Sequence, residues 1–269
     1  MVVIVLFIIV QNAYKNRSWT LIKPATIAFI GDSHIEQSIN DNTYNDIITF
    51  AQSGDNYLYT YSKLVKLLQD NSSIDTVVLG IDYHNIDITA DEWYKSQSYI
   101  NFKFPKVFPY MSLSEVKELT SFNPWGYLKA FSNLFSIQDL FDKENYMKQY
   151  GAFQGIDSTI TMEAINAVVT SNYKEQLSST QMRYLDKIAE ICLSKKIELV
   201  ILTSPVHSSA VKVKGLELAI EQYVKKHNLR YLNDRSLMLS NEYFSDRFHL
   251  NRKGADYFTQ FVLKQLREK

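Results

Sequence analysis

The chain has 269 residues, 46% of them hydrophobic and 22% charged. That suits one large α/β domain, or one domain with an insertion, and excludes a disordered or collagen-like chain. Lys+Arg and Asp+Glu balance at 29 each, so no positive field gathers phosphate backbone and nucleic acid is not an expected partner.

Residues 1–20 read as an apolar segment and linker. Met1 to Val10 is uniformly apolar, and the chain turns basic at Lys15 and Arg17. The run is about half of the ~20 residues a membrane helix needs, and it lacks the basic leader of a signal peptide. We read it as the tail of a membrane anchor rather than a signal-like core or a buried strand, because so apolar a stretch would aggregate in water. The expectation is attachment to a membrane through the N-terminus and an extracytoplasmic location; without an anchor the expectation is cytoplasmic.

The domain proper is expected over residues 21–269. Short apolar, β-branched runs followed by turns or helical patterns mark a parallel sheet. They fall at Thr26 to Ile30, Ile47 to Ala51, Asp75 to Leu79, Ile197 to Leu202 and, marginally, Arg230 to Leu232. Between them the helical period recurs, in Tyr57, Tyr61, Leu64, Val65 and Leu68, in Leu185, Ile188, Ala189 and Cys192, and in Leu216, Ile220, Tyr223 and Val224. A last helix opens after Asn251 as N-cap and aligns Ala255, Phe258, Val262 and Leu266. The fold class is therefore α/β, a doubly wound and mainly parallel five-stranded sheet. Cys192, the single cysteine, excludes an intramolecular disulfide and falls on an apolar helix face as a core residue.

The stretch from about residue 86 to 172 breaks the alternation and concentrates aromatic residues, among them Trp93, Tyr94, Tyr99, Phe104, Phe108, Tyr110, Trp125, Tyr127, Phe135, Phe141, Tyr146 and Tyr150. An insertion after the third strand is expected to sit over the carboxyl ends of the strands as a cap. Most of its rings are expected to form its own small core, with a few free to stack on sugar rings.

Two local patterns carry chemistry. The apolar strand Ile27-Ala28-Phe29-Ile30 runs straight into Gly31-Asp32-Ser33-His34, which presents a hydroxyl at the carboxyl edge of the sheet beside a helix start able to stabilise an oxyanion. Ahead of the last helix, Asp246-Arg247-Phe248-His249 spaces a carboxylate to fix the imidazole tautomer and leaves the other ring nitrogen to take a serine proton. Of the five histidines, His34, His84, His207 and His249 follow predicted strands or lie in the final loop, whereas His227 lies near a helix end. With Asp32, Asp82 and Asp246 nearby, this set also permits a zinc or manganese site. No His-x-His spacing puts two ligands on one element.

These blocks resemble the SGNH, or GDSL-like, hydrolase superfamily, in a branch that modifies cell-surface polysaccharides from a membrane anchor. The resemblance implies a flavodoxin-like sheet, Ser33 as nucleophile, His249 as base and Asp246 as its orienter. Gln52-Ser53-Gly54-Asp55 looks like the block whose glycine N–H joins the oxyanion hole, here Gly54 beside the N–H of Ser33. One block departs: the family pattern Gly-x-Asn-Asp reads Gly80-Ile81-Asp82-Tyr83-His84-Asn85. Asp82 stands where a neutral asparagine is expected, and an ionised carboxylate would repel an oxyanion. Asn85 or His84 is then the expected side-chain donor, unless two backbone donors suffice. His84, His207, Asp82 and His34 are expected around the substrate.

The leading expectation is a serine esterase or O-acyltransferase acting on an acylated carbohydrate, a cell-surface glycan or another small ester, with no metal and no cofactor. Its rivals are a metal-dependent hydrolase using the histidine cluster, and an inactive glycan-binding or assembly protein on the same fold.

Overall fold

The computed structural model of the chain describes residues 18–21, 23–133, 150–168, 172–235 and 237–268. The apolar run Met1 to Val10 and the rings of Phe135, Phe141 and Tyr146 lie outside the described residues. Among the described residues, no helix is long and apolar enough to cross a membrane.

Five strands form one sheet: β1 (Ile27–Ile30), β2 (Ile47–Thr49), β3 (Thr76–Gly80), β4 (Glu198–Thr203) and β5 (Arg230–Asn233). Their order is β2-β1-β3-β4-β5 and every neighbouring pair is parallel. The helices are α1 (Ser33–Glu36), α2 (Tyr57–Asp70), α3 (Tyr83–Ile86), α4 (Gln97–Val107), α5 (Leu113–Phe122), α6 (Pro124–Asn133), α7 (Met162–Asn166), α8 (Ser179–Ser194), α9 (Lys214–His227) and α10 (Arg252–Arg267). The expected doubly wound α/β architecture is present, with strand limits shifted by one or two residues.

Alternate strand residues divide the core into two layers. Ala28, Ile30, Val77, Leu79 and Ile201 face α2, α8 and α9, while Phe29, Val78, Val200 and Leu202 face α10. From α10, Phe258, Val262, Leu263 and Leu266 are buried, each worth roughly 1.5–3 kcal/mol of transfer free energy. Cys192 is fully buried on α8, and burial pushes its thiol up to about 12.

The strand order reverses at β1, which has β2 on one side and β3 on the other. In such sheets ligands bind at the carboxyl ends of the strands flanking this switch point. Ser33 follows β1 and Asp82 follows β3, so chain topology alone brings both to that crevice. Helix α1 packs closely on the end of β3: a Cβ on Gly80 would meet Ile35 Cγ1 at 2.3 Å, so a side chain there would push α1 away.

The insertion merges with the main core instead of forming a separate cap. Tyr94, Phe104, Phe108, Tyr110, Tyr127 and Tyr150 are buried in one cluster with Trp19, Phe50 and the β1 and β3 residues. Trp19 packs on Phe50, Tyr110 and Tyr150 with ring centroids 5.2, 4.6 and 4.5 Å away. Helix α4 lies against α2, and Lys63 of α2, which the helical period puts on a solvent face, is buried and shares Asp55 with Lys103 of α4. Trp93 and Trp125 stay 39% and 80% exposed, so those two rings are free to meet a ligand and most of the others are not.

Candidate active site

The turn after β1 is built by Asp32. It caps α1, its Oδ1 accepting from the backbone N–H of His34 at 3.0 Å, and Gly31 takes φ +144°, a conformation open to glycine. Ser33 is thereby half-buried at the mouth of the crevice.

The His249 loop is held from several sides. Phe244 and Leu250 pair as an antiparallel bridge, Asn251 N–H donates to Tyr243 O at 2.9 Å, and His207 N–H donates to Arg247 O at 2.9 Å. Asn251 caps α10 by accepting from Gly254 N–H at 3.0 Å. A side chain at Gly254 would strike Tyr243 O at 2.2 Å, so the helix start and the loop fit closely. Within the loop, Asp246 Oδ1 accepts from the N–H groups of Phe248 and His249 at 2.7 and 2.9 Å.

Across the crevice the side chains meet in a line. His249 Nε2 lies 3.0 Å from Ser33 Oγ, and His249 Nδ1 lies 2.9 and 3.1 Å from the two oxygens of Asp246. Burial raises the affinity of Asp246 for a proton, but the bonds from His249 and the two backbone N–H groups outweigh it and hold the carboxyl below its ordinary range. A carboxylate at Nδ1 fixes the proton there and leaves Nε2 as acceptor for the serine hydroxyl.

The turn expected to supply a second oxyanion donor starts at Gln52, whose N–H donates to Gly31 O at 3.1 Å, and closes with Asp55 N–H on Gln52 O at 2.9 Å. Gly54 has φ +76°, and a Cβ there would lie 3.3 Å from Tyr99 and 3.6 Å from Trp93. Two buried groups anchor this turn. Glu36 accepts from Ser53 N–H at 2.8 Å, and Asp55 pairs with Lys63 of α2 and, at 2.7 Å, with Lys103 of α4. Lys103 also donates to Gln52 Oε1 at 2.9 Å. The pattern of residues gave no signal for this clamp, because it joins a helix and an insertion distant in sequence.

The block after β3 is arranged differently from its expected roles. Asn85 spends both ends of its amide internally: Oδ1 accepts from Asp82 N–H at 2.7 Å and Nδ2 donates to Asp32 Oδ2 at 2.7 Å. These bonds use the amide oxygen and one of the two Nδ2 hydrogens. His84 Nε2 is bound to Asp32 as well. Burial alone would raise Asp32, yet the facing His84, then His34 and Asn85, hold it far below the carboxylate range. Asp82 caps α3, lies 3.0 Å from His34 Nδ1 and forms an ion pair with Arg235. Burial, together with neighbouring His84 and His249, keeps the His34 imidazole well below its ordinary value.

The ligand atoms of His34, Asp82 and His84 lie within 4.8 Å of one another, a set able to hold a metal ion. Two of the three are engaged by protein groups, Asp82 by Arg235 and His84 by Asp32. His207 is buried, with Nδ1 2.7 Å from Ser209 Oγ, Nε2 3.0 Å from Asn241 Oδ1 and its face toward Phe244, and it lines a pocket shared with Arg235. Its contribution is to the shape of the final loop.

Residues 140–269 match the profile of one protein family. No curated protein matches the chain. Among solved structures, the chain is similar to a GDSL-like lipase from Bacteroides thetaiotaomicron, with 14% identity and a TM-score of 0.46 over 96% of this chain and 97% of that one. It is similar also to a protein of Bacteroides fragilis provisionally described as an acylhydrolase, with 12% identity and a TM-score of 0.46 over 96% and 93% of the two chains. A third, from Desulfitobacterium hafniense and provisionally described as a lipolytic protein of the G-D-S-L family, has 8% identity and a TM-score of 0.43 over 88% and 97%.

Proposed function

We propose that the protein is a serine hydrolase of the SGNH type, an esterase or O-acyltransferase acting on an acylated carbohydrate. The observation that carries this reading is the unbroken chain from Asp246 through His249 to Ser33 Oγ, every step at 2.9–3.1 Å. His249 Nε2 takes the proton of Ser33 as Oγ attacks the acyl carbon, and the C=O pair moves onto oxygen. Collapse of the adduct expels the alcohol, which takes that proton from His249, and leaves an acyl group on Ser33. A water or a sugar hydroxyl then attacks by the same steps in reverse. The N–H groups of Ser33 and Gly54 are the oxyanion donors.

The carbohydrate assignment is supported by the half-exposed Trp93 beside Gly54, and by the SGNH resemblance with its extracytoplasmic, membrane-anchored branch. Turnover of acetylated sugars and nitrophenyl esters by wild type, with loss in Ser33→Ala and in His249→Ala, tests it. Adding an acceptor sugar separates transfer from hydrolysis.

A metal-dependent hydrolase is the second reading, motivated by the His34, Asp82 and His84 cluster. It requires activity that chelators abolish and that survives Ser33→Ala. An inactive glycan-binding protein instead predicts sugar binding unaffected by either substitution, with no ester turned over.

A further inference from the structure

Asp82 is a buried carboxylate outside the Asp246–His249–Ser33 chain, but it stands only one ring away. His34 Nδ1 is 3.0 Å from it, and the His34 ring packs on His249 and His84 with centroids 5.0 and 4.8 Å apart. An uncompensated anion so placed would oppose charge developing at the acyl oxygen, in a site where screening is weak.

Arg235, just beyond β5, meets that carboxylate. Its side chain is 7% exposed and pairs with Asp82, while its guanidinium lies over the Tyr83 ring, 3.8 Å from the centroid. Tyr83 begins α3, the helix that Asp82 caps. One planar cation therefore grips two consecutive residues of the turn, a task a lysine ammonium performs poorly.

We propose that Arg235 is a positioning residue of the serine site: it cancels the charge of Asp82 and fixes it beside His34, so that the pair replaces the neutral side chain expected at this place. The inference rests on the serine reading. It requires charge balance, so either Arg235 with Asp82 or two neutral groups should serve, and Asp82 alone should not. Five charged or titratable groups face His34, namely Asp32, Asp82, His84, His249 and Arg235; Arg235 is the one fixed cation among them.

The test compares full-length wild type with Arg235→Met, Arg235→Lys, Asp82→Asn and the double variant Arg235→Met/Asp82→Asn. Two readouts are taken, the rate at which a fluorophosphonate labels Ser33 and the melting temperature. Arg235→Met should slow labelling by about tenfold or more. The double variant should return labelling to within about threefold of wild type, whatever its melting temperature. Arg235→Lys should fall between, since it keeps charge but loses the stack.

Labelling unchanged in Arg235→Met would overturn the proposal, as would a double variant no better than Arg235→Met. A purely structural Arg235 would lower the melting temperature of both variants and give no recovery of labelling in the double variant. If Arg235→Met does not fold, the lysine and double variants carry the same comparison. Failure of wild-type Ser33 to react would instead count against the serine reading.

Discussion

Replacing Asp55 by asparagine should remove the clamp on the Gly54 turn, and its cost can be worked from the two lysines involved. Both side chains are almost fully enclosed, Lys63 at 2% exposure and Lys103 at 0%. Lys103 is held down to about 8, chiefly by burial, with Asp55 pulling upward. At pH 7 its charged form is thus favoured by about one unit, or ~1.4 kcal/mol, and losing its proton caps its share of the cost near that figure. Lys63 keeps the carbonyl of Tyr150 at 2.5 Å but loses its anion, and breaking a buried pair by removing one partner costs about 3–5 kcal/mol. The sum, about 4–6 kcal/mol, is a large fraction of a total stability of roughly 5–15 kcal/mol. Urea unfolding of both proteins at about pH 7 and pH 9 measures it. The loss should shrink by ~1.4 kcal/mol at the higher pH, where Lys103 is neutral in both proteins. An unchanged midpoint at pH 7, or a gap that widens toward pH 9, would refute the reasoning.

Three further outcomes are expected. Burial raises the Glu36 carboxyl, with Asp55 adding to it and the Ser53 bonds and Lys103 only partly offsetting it. A proton held more tightly in the folded state means stability falls as pH rises through the raised value. Glu36→Gln keeps an acceptor for Ser53, so its melting temperature should gain on wild type between about pH 4 and pH 7; a constant or shrinking difference contradicts this. Asp246→Asn should lower kcat by about a hundredfold or more, through loss of the Nδ1 tautomer and of the imidazolium's counter-charge. Steady-state kinetics with a nitrophenyl ester reads it, and a loss below about threefold would show that Asp246 does not orient the base. Cys192, buried and pushed up to about 12, should resist iodoacetamide in the folded protein and react only in denaturant, as intact mass would record.

The sheet was legible because each strand is a compact β-branched run, and α10 because its apolar face and its Asn251 cap agree. Ser33, Asp246 and His249 were legible because strand-turn and Asp-x-x-His blocks are local patterns, and the open sheet brings their ends together. Long-range pairing of charges was not. Lys63 falls outside the apolar period of its helix and Lys103 lies in an insertion with no clear period, and both turn inward toward Asp55 where α4 packs on α2. Arg235 follows a marginal strand, and its partners Asp82 and Tyr83 are distant in sequence. Asn85 had the right residue type for a donor, but its place in the cap of α3 and its bond to Asp32 are not local patterns. His207 had the right location but turned toward Ser209 and Asn241.

Mass-spectrometric mapping after treatment with a fluorophosphonate, with a chelator present, bears most directly on the serine site. The account predicts one adduct, on Ser33, lost in Ser33→Ala and much slowed in His249→Ala, and indifferent to the chelator. No adduct on Ser33, or ester turnover that survives Ser33→Ala and disappears with the chelator, would contradict it.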